Sequence, residues 1–441
     1  MAKTIEVLDA IMSAGKTTAI IDWMDNNPQE KFIYVSPNLS EVDVRIPTST
    51  KLDFVSPKVD EYNPTKLEHL NQLLLEGRHI CCTHKLYLSM TTYSMDLIES
   101  RGYTVILDEE INVMQSYKDY SFKDVKWLLK EGYIHHNLTD GSVEWVKDDE
   151  LLNSADHRYF YCKNLCDKKA LYLTRFDKDS EKAKQVMMVT QIPIRLLECA
   201  KRVVVVSYLF KGSVLDKFLQ LKGFKTKPFT DVCVVKKSPK DFKHLLTIVP
   251  PEDLDDCNLT SYWWTHKSTE NKGLLRVQNY ILRNARKYGG DAKYVCWTAP
   301  KERSKGVSTA SKKAKLIDPI GYVYSKEYEI IDGEEVYVGK KPCWLSAHTR
   351  ATNDYAHKKV MIHCYNRYPL QDVSSYLQDY GHKIDDDVFA LSELVQWCWR
   401  GQVRSSLPMT ICIGSKRMYE LFMNWLNELP LNNKDYSKWE N

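Results

Sequence analysis

The sequence predicts an α/β protein with two parallel-sheet domains in tandem and an insertion in the first domain. Three observations support this fold class. Short apolar runs alternate with amphipathic runs over residues 1–115, a second alternation of the same kind follows residue 244, and a long stretch without a clear period separates them. Such alternation is typical of a parallel sheet covered by helices on both faces.

The first domain is assigned to residues 1–222. Asn26, Asn27 and Pro28 end its first helix, because asparagine and proline disfavour a further helical turn. The apolar runs predict strands at 4–8, 31–35, 79–82, 105–107 and 203–206, and the amphipathic runs predict helices at 16–24, 66–76 and 86–99.

The second domain is assigned to residues 244–441. Asp332 and Gly333 separate the apolar runs 328–331 and 335–338, and this dipeptide favours the tight turn of a hairpin. The remaining pattern predicts strands at 244–249, 294–298, 344–347, 360–364 and 410–413, and helices at 275–287, 391–400 and 416–429.

Two segments fall outside these patterns. Residues 223–243 are rich in lysine around Pro228 and Pro239, which predicts a basic interdomain linker. Residues 115–185 are rich in tyrosine, lysine and aspartate, which predicts an inserted subdomain. Its aromatic rings suit either a stacking platform or wedge against a duplex, or the core of a small packing unit. The predicted hairpin is a rival wedge.

The composition narrows the class of protein. The 62 Lys and Arg residues against 58 Asp and Glu residues give a net charge of +4, so DNA binding requires local basic patches. The 12 cysteines are scattered, and no signal peptide or apolar span of about 20 residues is expected, which indicates a reduced, cytoplasmic protein without a membrane anchor. Cys162, Cys166 and His157 suit either a metal site or packed thiols.

A phosphate-binding loop is predicted between the first strand and the first helix. The segment AIMSAGKT at 10–17 follows a strand and opens a helix, which is the context that such a loop requires. Its backbone N–H groups can hold phosphates, Lys16 can pair with the β- and γ-phosphates, and the Thr17 hydroxyl can bind Mg²⁺. The predicted ATP-binding residues are completed by Ala14, Gly15 and Thr18.

The second half of this site is predicted where the strand at 105–107 ends in Asp108, Glu109 and Glu110. Carboxylates at this edge of a parallel sheet can hold a metal ion, so Asp108 is expected to bind Mg²⁺ through water. Glu109 is then placed to orient or deprotonate the attacking water. A solvated acidic cluster is the alternative for these residues taken alone.

Together these motifs resemble those of superfamily 2 helicases, particularly phage-encoded ones similar to the herpesvirus origin-binding helicase. The resemblance implies two RecA-like domains and an ATP-hydrolysing DNA helicase active in DNA replication. Ser207, Tyr208 and Leu209 stand where the family has a SAT-type motif but depart from it, which leaves the coupling of hydrolysis to domain movement open. In the first domain, the resemblance implies nucleic-acid contacts for Ser36, Pro37, Thr83 and His84.

In the second domain, the resemblance covers the segments at 349–354 and 396–404, which are similar to motifs V and VI. An apolar stretch precedes the second segment, so we expect a buried helix to deliver its arginines to the phosphates; the end of a solvated helix is the alternative. The implied nucleic-acid contacts are Thr349, Arg350 and Asn353, and the implied catalytic residues are Gln396 and one or both of the finger candidates Arg400 and Arg404.

The sequence therefore predicts an ATP-driven nucleic-acid motor, a helicase or translocase that moves along a strand. Its expected cofactors are ATP and Mg²⁺. Its expected partners are DNA, as a single strand or a fork, and replication proteins, and a lysine-rich loop at 301–315 is suited to tracking phosphates. A phage-encoded motor would act in the host cytoplasm. The ATPase of a DNA-packaging terminase and a nucleotide-dependent nucleic-acid-binding scaffold are the alternatives.

Overall fold

The computed structural model describes residues 3–147, 157–174, 187–309, 315–331, 334–349 and 354–431. Contacts divide the chain into two compact units that interleave along the sequence. The first unit comprises Met1–Asp9, Lys16–Cys233 and Pro369–Asp385, and the second comprises Ala10–Gly15, Val234–Tyr368 and Asp386–Asn441.

Strands and helices alternate along much of the chain. The strands are β1 (Thr4–Asp9), β2 (Lys31–Ser36), β3 (Phe54–Val55), β4 (His79–Thr83), β5 (Tyr103–Asp108), β6 (Met114–Tyr117), β7 (Ile134–His136), β8 (Val143–Trp145), β9 (Leu171–Leu173), β10 (Met188–Gln191), β11 (Arg202–Ser207), β12 (Lys225–Pro228), β13 (Leu246–Val249), β14 (Val295–Thr298), β15 (Tyr324–Ile331), β16 (Glu334–Pro342), β17 (Val360–His363) and β18 (Met409–Ile413). The α-helices are α1 (Lys16–Asp25), α2 (Ile46–Ser49), α3 (Lys66–Glu76), α4 (His84–Leu88), α5 (Thr92–Arg101), α6 (Phe122–Lys130), α7 (His157–Asp167), α8 (Arg195–Glu198), α9 (Val214–Leu221), α10 (Gly273–Asn284), α11 (Gln371–Asp379), α12 (Asp386–Cys398) and α13 (Lys416–Leu426). In the part of the chain that the structure describes, none of these helices has the length and apolar composition that a membrane crossing needs.

The first unit is built on a parallel sheet in the order β12–β1–β11–β5–β2–β4–β3. Its central strands are almost entirely buried, as the valine run of β11 is, because parallel sheets are covered on both faces. Parallel strands end at the same edge. The register therefore places Asp9 at the end of β1 beside Ser207 of β11, and Asp108 at the end of β5 beside Val206.

The second unit is built on a smaller parallel sheet in the order β13–β18–β17–β14. The two sheets confirm the predicted fold class of two parallel-sheet, RecA-like domains in tandem. The strand predicted at 344–347 is wrong, because only Trp344 forms an isolated bridge, to Trp297. The chain leaves β16 at Pro342 and follows the edge of the sheet for a single residue.

Two segments differ in place or extent from the sequence-based assignment. Lys225–Pro228, predicted within the linker at 223–243, pairs with β1 as an edge strand of the first sheet, and its exposure explains why no apolar pattern marks it. The helix predicted at 86–99 is two helices, α4 and α5, because Thr91 and Ser94 form a capping box that starts the second one.

The insertion has a core of its own. It contains an antiparallel sheet in the order β6–β10–β9 and the β7–β8 pair, and α7 packs against β8 and β9. Tyr117, Cys162 and Cys166 are buried in this core, which favours rings and thiols that serve packing. The side chain of His157 lies outside the described residues. Trp127, Phe160 and Tyr161 are the large aromatic side chains of the described part of the insertion that remain exposed, at 41%, 58% and 52%.

The predicted hairpin is confirmed as β15 and β16, which pair antiparallel. Its turn residues, Asp332 and Gly333, lie outside the described residues. Tyr328 and Tyr337 face each other across the strands with ring centroids 5.8 Å apart, and half of each side chain is exposed. The hairpin is thus an exposed arm with a paired aromatic surface.

The burial of the central strands predicts the effect of a cavity in β5. Leu107 is fully buried, whereas 44% of Leu75 in α3 is exposed. Leu107→Ala should lower the free energy of unfolding of the first unit by about 2–5 kcal/mol, because it loses burial and leaves a cavity. Leu75→Ala, the control, should change it by less than about 0.5 kcal/mol in chemical denaturation. Equal effects of the two substitutions would contradict the described packing.

Candidate functional site

The loop between β1 and α1 has a left-handed backbone at two of its positions. Ser13 and Gly15 both have positive φ, +62° and +82°, a conformation that also occurs in backbone turns that bind anions. At Gly15 the conformation, rather than lack of space, explains the glycine, because an added Cβ would meet no atom within 4 Å. The buried Ala14 donates its N–H to the Ile11 carbonyl at 3.3 Å and closes the turn.

Lys16, the first residue of α1, points along the edge of the first sheet. Its Nζ donates a hydrogen bond of 3.1 Å to the carbonyl oxygen of Ser207, at the end of β11. Burial raises the pKa values of Asp9 and Asp108, and the positive charge of Lys16 opposes both rises, so Lys16 lies near both carboxylates. Thr17 follows in the same helical turn, partly exposed, and Thr18 is exposed.

Asp108 lies at the end of β5. Burial, followed by the negative charge of Glu109, raises the pKa of Asp108 to about 6 against the opposing effect of Lys16. The Nε2 atom of His84 lies 2.9 Å from the Asp108 carbonyl oxygen, a hydrogen bond that requires the proton on Nε2. A carboxylate with a raised pKa beside a lysine is typical of functional sites.

The chain turns sharply after Asp108. Glu109 has a φ of +65°, a conformation that is strained for a residue with a side chain, and its N–H donates to the Val206 carbonyl at 2.9 Å. The Ser207 hydroxyl in turn donates to Glu110 Oε1 at 3.2 Å. These bonds hold the acidic turn against the end of β11.

Asp9 is a site residue that the sequence analysis missed. Its two carboxylate oxygens accept the backbone N–H groups of Leu209 and Phe210 at 2.9 Å and 3.1 Å. Leu209 has a φ of +59°, so the carboxylate holds a strained turn at the last residue of the motif that departs from the SAT type. Its position could have identified Asp9 from the sequence, because it is an acidic residue that ends a strand directly before the predicted phosphate-binding loop.

The first-domain residues implied to contact nucleic acid have local structural partners. The Ser36 hydroxyl is buried and accepts the Asn38 N–H at 3.5 Å. The Thr83 hydroxyl caps α4 by accepting the Leu86 N–H at 3.3 Å. Pro37 is partly exposed next to Ser36. These bonds account for the residue types locally and leave a role in nucleic-acid binding as a proposal.

In the second unit, the predicted buried helix is α12. Gln396 donates from Nε2 to the Ser392 hydroxyl at 2.9 Å within this helix. Arg400 lies just beyond its C-terminal end and only 5% of its surface is exposed, which does not fit the alternative of a solvated helix end. Arg404 follows in a 3₁₀ turn and is partly exposed.

Residues 10–15 group with the second unit by their contacts. Within that unit, the Ser13 hydroxyl donates to the Arg404 carbonyl oxygen at 3.4 Å, and the Val235 N–H donates to the Ala14 carbonyl at 3.1 Å. The Ser13 side chain therefore contacts the backbone of the segment at 396–404. Thr349 closes a turn with its N–H on the Ser346 carbonyl at 3.0 Å, whereas Arg350 and Asn353 lie outside the described residues.

A buried polar cluster supports α12. Arg367 pairs with Glu393 of α12 at 3.3 Å, and both are almost fully buried. The ring of His363, at the end of β17, packs edge-on against Trp397 with centroids 5.3 Å apart. Burial and then the charge of Arg367 lower the pKa of His363 to about 3, against the opposing effect of Glu393.

Comparison with known proteins supports the α/β assignment of the second unit. Residues 240–426 match the family described as YonV C-terminal Rossmann-like domain. The SPbeta prophage-derived uncharacterized protein YonV of Bacillus subtilis (strain 168) is 28% identical over 453 residues, which cover 96% of this chain and 98% of the relative. The solved structure of S. tokodaii Xpd4 aligns with a TM-score of 0.45 and 10% identity over 98% of this chain and 95% of that chain, a likeness too distant to bear on function. The specific likeness to the herpesvirus origin-binding helicase has no counterpart among these relatives.

The neutral state of His363 predicts a pH dependence of stability. Between pH 6.5 and about 3 the unfolded chain binds a proton at this histidine that the folded chain does not, so stability is lost as pH falls through this window. In this window the free energy of unfolding should change with pH by up to about 1.4 kcal/mol per pH unit because of His363. His363→Phe should remove this contribution, measured by chemical denaturation at several pH values. The exposed His266→Phe is the control, and an unchanged slope in His363→Phe would contradict the neutral assignment.

Proposed function

We propose that this chain is an ATP-driven nucleic-acid motor, a DNA helicase or translocase of superfamily 2. The observation that carries the proposal is the meeting of Lys16, Asp108 and Ser207 at one edge of a parallel sheet, directly after a loop in which Ser13 and Gly15 have positive φ. Ligands of open parallel sheets bind at this edge. The prophage origin in the relative's name supports a phage-encoded motor acting in a host cytoplasm.

The residues at this edge fit ATP and Mg²⁺. The positive φ values of Ser13 and Gly15 supply backbone donors for phosphate, and Lys16 would hold the β- and γ-phosphates. Thr17 and Asp108 would hold Mg²⁺, which supplies neutralisation of charge on the phosphates. In the described ranges no cluster of three or more His, Cys, Asp or Glu forms a metal cage, which agrees with an ion that keeps water and phosphate oxygens as ligands.

The remaining residues divide the catalytic work. Glu109, turned away from the strand by its left-handed backbone, would orient the attacking water and accept its proton. Arg400 or Arg404 would deliver positive charge to the γ-phosphate in the transition state, and Gln396 would assist from α12, which precedes both arginines. The arginines belong to the second unit, whereas Lys16 and Asp108 belong to the first. In the proposed motor, hydrolysis would therefore be coupled to movement of the units, and this movement would drive a step along the strand.

Nucleic acid would bind through backbone phosphates and stacked bases. Lys301 and Lys305, in the loop after β14, are exposed, although Lys305 also pairs with Asp318. Tyr324, 43% exposed, is available for stacking, whereas Trp297 is fully buried and is excluded from that role. The DNA would be a single strand or a fork, and replication proteins remain proposed partners.

The terminase alternative requires nuclease carboxylates, and the three consecutive aspartates at 385–387 could supply them only if they are available to bind metal. Asp387 is instead bound to Arg417 at 2.7 Å, and Asp386 and Asp387 form the first turn of α12. The ion pair with Arg417 at the start of α12 gives Asp387 a structural role. A binding scaffold without hydrolysis would have no use for a strained Glu109 beside Asp108.

The proposed nucleotide site is tested with two substitutions. Lys16→Ala should abolish ATP turnover, because the phosphates lose their fixed positive partner. Glu109→Gln should keep ATP binding and lose hydrolysis, because Asp108 still holds Mg²⁺. ATP binding is measured by titration calorimetry and turnover by phosphate release, with and without single-stranded DNA. Normal turnover in either folded variant would exclude this assignment.

The proposed arginine finger is tested separately. Arg400→Ala or Arg404→Ala should lower the maximal ATPase rate on the order of 10³-fold while changing nucleotide affinity much less. Arg400→Lys, which keeps the charge but not the planar fork, should fall between the parent and the alanine variant. Steady-state kinetics distinguish these outcomes. If both alanine variants turn over at the parent rate, neither arginine is the finger.

A further inference from the structure

Pro369–Asp385 crosses from one compact unit into the other and back, and is called the crossing segment here. The chain leaves the second unit at Tyr368, forms α11 within the first unit, and re-enters the second unit at Asp386 to begin α12. This connection was not predicted from the sequence, and it joins the first unit covalently to the helix that carries Gln396.

The side chain of Arg417 binds residues at both ends of the crossing segment. Within the second unit, Arg417 donates to the Asn366 side chain at 3.0 Å and to the Arg367 carbonyl at 2.9 Å, just before the segment begins. The same guanidinium donates to the Asp386 carbonyl at 2.8 Å and to Asp387 at 2.7 Å, just after it ends. Both ends of the segment are therefore held at one point.

Helix α11, within the crossing segment, contacts the insertion. Tyr376 of α11 is fully buried and donates its hydroxyl to the Asp140 carbonyl at 2.6 Å. Gly141, at a φ of +78°, makes room for this contact: an added Cβ would lie 2.6 Å from the Tyr380 hydroxyl, 2.7 Å from the Leu173 carbonyl oxygen and 2.8 Å from the Tyr376 ring. The insertion thus serves as a seat for α11.

The last residue of the crossing segment is tied to the loop after β11. The Asp385 N–H donates to the Gly212 carbonyl at 3.0 Å, and the Gly212 N–H donates to the buried carboxylate of Asp216 at 2.9 Å. The same loop begins at Ser207, whose carbonyl oxygen accepts a hydrogen bond from Lys16. It continues through Leu209, whose N–H donates to the Asp9 carboxylate. A short chain of bonded groups therefore links the phosphate-loop lysine to the residue that precedes α12.

We infer that the crossing segment transmits structural changes at the nucleotide site, through the loop at 207–213, to the start of α12. This connection is called the brace. A phosphate that draws Lys16 away from the Ser207 carbonyl changes one end of this loop, and the Gly212–Asp385 bond carries the change to the other end. The inference rests on the proposed function. It assigns Tyr376, Gly141 and Arg417 as positioning residues that do not touch substrate.

The test uses the full chain and two matched glycine variants. Gly141→Ala unseats α11, because its Cβ has no space, while Gly102→Ala imposes the same left-handed strain, at a φ of +68°, in open space. Tyr376→Phe removes only the hydroxyl and gives the same test without a clash. Hydrogen exchange is measured with and without Mg²⁺·ADP, and ATP turnover with and without a single-stranded DNA oligonucleotide.

In the parent and in Gly102→Ala, nucleotide should slow exchange both at 15–18 and across 369–386. In Gly141→Ala it should slow exchange at 15–18 only. The DNA-stimulated kcat of Gly141→Ala should fall roughly 2- to 30-fold, the range of modulated coupling, with the basal kcat and the KM for ATP unchanged.

The outcomes separate this inference from the proposed function. Protection at 15–18 with no response at 369–386 in the parent, or a parent-like stimulated rate in folded Gly141→Ala and Tyr376→Phe, overturns the brace and leaves the nucleotide site intact. Absence of protection at 15–18 in the parent overturns the proposed function, and the brace with it.

Discussion

The carboxylate of Asp9 is the group on which the candidate site depends. It accepts hydrogen bonds from two consecutive backbone N–H groups, those of Leu209 and Phe210. These bonds offset part of the free energy that burying a charge costs. Burial raises the pKa of Asp9, while those two N–H groups and Lys16 oppose the rise. By holding Leu209 in a left-handed turn, the carboxylate determines where β11 ends and hence where the Ser207 carbonyl meets Lys16.

The parallel sheet explains why such a small set of contacts gathers chemistry from distant positions. β1, β5 and β11 lie side by side with the same direction, so their C-terminal residues share one edge. The strained turn at Glu109 and the phosphate loop both begin where a strand ends. Charges that would repel one another in an open chain are held together by backbone N–H groups and by one lysine.

The interleaving of the units gives the molecule its second organising feature. Arg417 closes the crossing segment at its base, and Tyr376 seats it on the insertion, so α11 joins elements that are far apart in sequence. The aromatic residues of the insertion are therefore needed as a packing core as well as a surface. The pair Tyr328 and Tyr337 gives the hairpin an exposed aromatic surface as well.

Periodic burial and strand-to-turn motifs are local properties, so the sequence was enough to predict the two parallel sheets, the turn between β1 and α1 and the acidic end of β5. It also indicated α12 as a buried helix, since apolar residues surround its polar ones. Tertiary structure alone decided the role of Asp9, the place of α11 and the edge strand β12. Those depend on pairings across the chain, such as Asp9 with Leu209 or Asp385 with Gly212, and an exposed edge strand or a single backbone hydrogen bond leaves no apolar pattern to read.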